Sequence, residues 1–148
     1  MISRLTSRDR NAAKYYDTAA DLLALEGDFF NAVANYEKAA RLHLTGKYPN
    51  PYRVREIWFK AGLCGLATGD LVTAQRNVQT YRQGDPEFER TRQCQLLLDL
   101  IEAIEAGDHE AFSQKLFEYD KVKKLGDWEA EILVKIKSQI SEADNEFA

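Results

Sequence analysis

His43 and His109 are the only histidines in this 148-residue sequence, and Cys64 and Cys94 the only cysteines. Metal ligation or nucleophilic catalysis would have to begin with them, and their spacing suits neither. The histidines lie 66 residues apart with no ligand spacing around either one. The cysteines lack C-x-x-C spacing and sit in apolar helical stretches, where they read as buried free thiols. There is no glycine-rich phosphate loop, and no Ser or Cys sits in a nucleophile-type turn. The sequence therefore predicts no enzyme, no cofactor and no metal site.

The chemistry that remains is electrostatic. Residues 1–60 carry ten Lys/Arg against seven Asp/Glu, a balance of +3, whereas residues 61–148 carry ten against seventeen, a balance of −7. Two ends of unlike charge should prefer different partners. The cations are scattered among carboxylates and form no basic stripe, which disfavours nucleic acid. With 45% hydrophobic and 30% charged residues, the composition is that of one ordinary globular domain with enough chain for a core. No stretch is apolar for long enough to span a membrane, and the opening Met1–Arg4 segment lacks the apolar centre of a secretory signal. A cytoplasmic chain is expected.

The elements that position these charges are announced by a repeated dipeptide. Gly-Asp recurs at Gly27-Asp28, Gly69-Asp70 and Gly107-Asp108, at steps of 42 and 38 residues. Gly can close one helix in the left-handed conformation while Asp accepts the first free amide protons of the next. A period of this length points to stacked helical hairpins of tetratricopeptide (TPR) type, an all-α right-handed array whose usual role is to hold another protein. Ala32 and Ala74, each four residues past an Asp, allow close helix approach; Phe112 in the same position predicts a more open third hairpin. Apolar periodicity gives seven helices, over 11–26, 28–44, 52–68, 70–81, 86–106, 108–124 and from 127. A polar lead-in over 1–10, a repeat domain with a C-terminal helical bundle over 11–140, and a flexible acidic tail over 141–148 complete the expected organisation.

Several segments, taken in order, resemble one family. Phe59-Lys60-Ala61-Gly62-Leu63-Cys64, Asp85-Pro86-Glu87-Phe88 with Arg92, Glu118-Tyr119-Asp120, Leu125 with Trp128, and Ile132-Leu133-Val134-Lys135-Ile136-Lys137 are similar to the C-terminal half of the soluble NSF attachment proteins (SNAPs), of the alpha and yeast type. The likeness extends upstream through Lys14, the Gly27-Asp28 corner and Tyr36.

The resemblance implies an adaptor without chemistry of its own, which lies along a SNARE complex and presents its C-terminal end to the AAA ATPase NSF for SNARE disassembly. By register, Lys14 and Arg55, with Arg53 as a neighbour, are the implied SNARE-binding residues. Asp70, Glu102 and Glu105, extended by Asp108 and Glu110, are the implied NSF-binding residues. Glu142, Asp144 and Glu146 supply the family's acidic tail, with Phe147 where relatives carry a penultimate Leu. A half-length form is expected to bind NSF better than SNAREs, to bind membranes weakly or not at all without the family's N-terminal hydrophobic loop, and to reach membranes peripherally through SNAREs. A generic TPR-like protein-binding scaffold, or a dominant-negative regulatory fragment, remains the alternative.

Overall fold

The computed structural model describes the backbone of residues 2–46 and 49–147, and the side chains of residues 10–46 and 49–140. Among these residues there are eight helices and no strand: α1 (Ile2–Leu25), α2 (Phe29–Thr45), α3 (Pro51–Ala67), α4 (Leu71–Gly84), α5 (Pro86–Glu89), α6 (Arg92–Ala106), α7 (His109–Val122) and α8 (Asp127–Phe147). The fold is all-α and TPR-like, built on the hairpins α1–α2, α3–α4 and α6–α7.

Each hairpin turns at a Gly-Asp pair. Gly27, Gly69 and Gly107 have φ of 88°, 84° and 64°, a region in which an L side chain is strained. Asp28, Asp70 and Asp108 then cap the following helices, their carboxylates accepting from the backbone N–H of Asn31, Thr73 and Ala111 at 3.3, 3.1 and 3.0 Å. At the longer second connection Asn50 takes the same role for α3, accepting from Arg53 N–H at 3.2 Å ahead of Pro51 in the first turn.

Three sequence expectations are revised. The first helix begins at Ile2 and absorbs the polar lead-in expected over 1–10. The helix expected over 86–106 is two elements, because Thr91 interrupts it: its hydroxyl donates to Phe88 O at 2.7 Å and accepts from Cys94 N–H at 3.1 Å, which starts α6 anew. The backbone of the last helix is helical as far as Phe147. Finally, the more open third hairpin holds only in part: α6–α7 packs less closely than α1–α2 but as closely as α3–α4, with Phe112 fully in the core at 0% exposure.

One continuous core runs through the molecule, from Ala20, Ala24 and Tyr36 at the first hairpin to Leu97, Leu100, Ile132 and Ile136. Cys64 and Cys94 lie within it as free thiols, and burial pushes both thiols up and keeps them protonated. Where α3 crosses α6, Gly62 lets Leu97 approach so closely that a Cβ there would stand 2.5 Å from Leu97 Cδ1.

α8 fastens the hairpins together. Along one side it donates to carbonyls near the C-terminal ends of two earlier helices: Trp128 Nε1 to Asp21 O at 3.3 Å, Lys135 Nζ to Leu25 O at 3.1 Å and Gln139 Nε2 to Ala67 O at 2.7 Å. Leu25 and Ala67 are the last residues of α1 and α3, where intrahelical donors run out, and the Lys135 cation also suits the negative end of α1.

Candidate functional site

The acidic residues singled out in the sequence lie on α6 and at the Gly69 and Gly107 corners. Glu102 and Glu105 are exposed on α6 and line a groove of about 290 Å³ with Gln75 and Gln79 of α4. Glu105 accepts a hydrogen bond from Gln75 Nε2 across that groove. Asp70 and Asp108 are exposed at the starts of α4 and α7, and Glu110 is exposed on the first turn of α7. The hydroxyl and backbone N–H of Thr73 hold the Asp70 carboxyl below the usual range, so it stays ionised at neutral pH. Gly69 and Gly107, each next to one of these aspartates, line a single cleft of about 380 Å³ whose other walls include Leu66, Leu71, Ile104, Ile136 and Ile140. Two corners 38 residues apart in sequence thus share one depression. The side chains of Glu142, Asp144, Glu146 and Phe147 lie outside the described residues.

The cations behave differently. Lys14 is exposed on α1. Arg53 and Arg55 are not brought together, because two positions apart on a helix face nearly opposite ways. Arg53 reaches α1, where it binds Asp17, and also pairs with Glu56 at 2.8 Å. Arg55 points to the α4–α5 junction, its Nε 4.0 Å from Asp85 and its guanidinium 5.5 Å from the Tyr52 ring.

Lys60, to which the sequence assigned no role, is the centre of a charged cluster between α1, α2, α3 and α8. Its ammonium donates to Asp17 Oδ1 at 2.8 Å and to Asp21 Oδ1 at 2.9 Å. It also stands 5.1 Å from the Tyr36 ring and 5.7 Å from the Trp128 ring. Tyr36 donates its hydroxyl to Asp21; burial first, and then that hydrogen bond, push its pKa far above the ordinary value, so it remains a donor. Trp128 closes the cluster edge-on against Tyr36 at 6.0 Å. With only 2% of its side chain exposed, Asp17 is the one acidic or basic residue buried among the described residues, and it pairs with both Arg53 and Lys60. The Asp17/Asp21 and Tyr36 spacing could not reveal this in the sequence, since charges at helical intervals look the same whether they meet solvent or one another.

A family model described as "Soluble NSF attachment protein, SNAP" matches residues 6–141. The chain belongs to that family. Among curated SNAP relatives, the probable vesicular-fusion protein sec17 homolog of Neurospora crassa is 49% identical over 137 residues, which is 93% of this chain and 47% of the relative. Its counterpart in Schizosaccharomyces pombe is 40% identical over 139 residues, 94% of this chain and 48% of the relative. The alpha-soluble NSF attachment protein of Saccharomyces cerevisiae is 33% identical over 134 residues, covering 90% and 46% respectively. The chain therefore spans about half the length of the curated SNAP relatives it matches. Among the described residues, no helix is long and apolar enough to cross a membrane.

Proposed function

We propose that this SNAP-family chain is an adaptor in vesicle trafficking and membrane fusion, which links SNARE complexes to an NSF-type AAA ATPase for their disassembly and is peripheral to membranes through the SNAREs. The observation that carries the reading is that Glu102 and Glu105 line one exposed groove, while Asp70 and Asp108 stand next to the two glycines that share the cleft beside α6 and Glu110 is exposed on the first turn of α7, an acidic surface suited to a basic partner. On the SNARE side, Arg53 and Arg55 already have Asp17 and Asp85 for neighbours, which leaves Lys14 as the freest of the three implied cations. The half-length chain should accordingly favour the ATPase over SNAREs.

The carboxylates are not equivalent. Asp70 and Asp108 face the positive ends of α4 and α7, which offset part of their charge, and changing them would remove helix caps. Glu102 and Glu105 have no such duty. Reversing both to Lys is therefore expected to weaken association with the ATPase at least tenfold and to flatten its salt dependence, with the melting temperature unchanged. Binding measured between low and moderate salt checks this, and wild-type affinity in the double variant would assign these carboxylates to solvent alone.

The tail adds a separable role. Acids attract a basic surface from a distance, whereas an apolar tip contributes only after it finds a cleft. Deleting Phe147-Ala148 should leave binding within a few-fold and lower stimulation of ATP hydrolysis, and Phe147→Leu should restore it. Equal stimulation by the intact and shortened chains would reject this role.

A further inference from the structure

The cleft between the Gly69 and Gly107 corners is unlike the acidic groove beside it. Its lining holds five aliphatic side chains, Leu66, Leu71, Ile104, Ile136 and Ile140, and no charged residue. Of its polar members, Gln139 is already committed to Ala67 O at 2.7 Å and Thr68 to Gly65 O at 2.6 Å. The two glycines carry no side chain to close the mouth. A volume of about 380 Å³ lies within the range of about 300–1,000 Å³ usual for ligand sites. Such sites also present convergent polar groups to orient a small molecule, whereas here the nearby charges stand outside the cleft: Asp70 and Asp108 cap α4 and α7 next to its two glycines, and Glu102 and Glu105 line the neighbouring groove along the same α6. An apolar interior with acidic residues beside it matches a protein surface of the opposite pattern.

We infer that this cleft receives one large aliphatic or aromatic side chain projecting from a basic surface of the partner protein, and that it is the anchor of the interface whose rim the carboxylates form. The inference rests on the ATPase-binding reading above and adds to it the apolar half of the recognition. The two halves have different physical signatures. Attraction between exposed charges is screened as salt rises, whereas burial of an apolar side chain is not weakened by salt. The carboxylates bring the partner in and set the salt dependence of binding; the cleft sets how long it stays.

The test compares variants of this chain for binding to the NSF-type ATPase over a salt series. Leu71 and Ile104 are only partly buried in the core, so Leu71→Gln and Ile104→Gln introduce a polar group of similar size where the anchor would sit. Each is expected to weaken binding about tenfold, as truncation or polarisation at an interface anchor does, by the same factor at every salt concentration. Leu71→Met, which conserves volume and apolarity, should bind as the unchanged chain does. If Ile104→Gln melts early, Leu71→Gln at the first residue of α4 carries the measurement alone. Wild-type affinity in a folded Leu71→Gln variant, alongside weakened binding in Glu102→Lys/Glu105→Lys, overturns the anchor and leaves the acidic surface standing. Unchanged binding in both sets overturns the anchor together with the reading beneath it.

Discussion

Replacing Lys60 by Met is expected to destabilise the chain by about 3 kcal/mol, at the lower end of the range for breaking a buried ion pair. The ammonium holds Asp17 and Asp21 at 2.8 and 2.9 Å, and Asp17 has no route to solvent at 2% side-chain exposure. Met has similar length and fills the space, so the loss reports on charge and not on a cavity. It stays at the low end because Arg53 still reaches Asp17 and the Tyr36 hydroxyl still reaches Asp21. Urea unfolding followed by circular dichroism measures it. Adding Asp21→Asn to Lys60→Met should recover part of the stability, since one uncompensated carboxylate is then gone. A loss below about 1 kcal/mol in the single variant would mean that water screens the cluster as it does surface pairs.

Trp128→Ala is expected to cost about 2–3 kcal/mol, below the value of about 3–5 kcal/mol for a fully buried Trp, because the side chain is only partly buried. What it loses is specific: the edge-on contact with Tyr36, the indole hydrogen bond to Asp21 O and the ring beside the Lys60 ammonium. The indole also shields the Lys60 pairs from water, so its removal should weaken them. The two substitutions should therefore be non-additive, with a coupling of about 1 kcal/mol in a double-mutant cycle. Effects that add to within about 0.3–0.5 kcal/mol, as independent sites do, would show that Trp128 anchors α8 by packing alone.

What the sequence determined by itself about this protein is its local punctuation and its kinship. A left-handed glycine followed by a capping aspartate is satisfied within one turn on either side, so Gly27-Asp28, Gly69-Asp70 and Gly107-Asp108 could be read without knowledge of the rest. Ordered segments such as Phe59–Cys64 and Ile132–Lys137 identified the SNAP family for the same reason, since they are legible as they stand. Thr91 marks the limit of that legibility. Its hydroxyl could have paired with solvent inside a long helix, and only the placement of Phe88 in the core, at 0% exposure, makes the break at Thr91 the better solution. Tertiary structure alone decided which charges matter inside. Asp17, Asp21, Arg53 and Lys60 lie up to 43 residues apart, and no helical period distinguishes a carboxylate that meets a lysine of another helix from one that meets water. The cleft is of the same kind. Leu71, Ile104 and Ile140 are apolar positions on three separate helices, and they become the walls of one opening because the Gly69 and Gly107 corners meet beside Ile136 and Ile140 of α8.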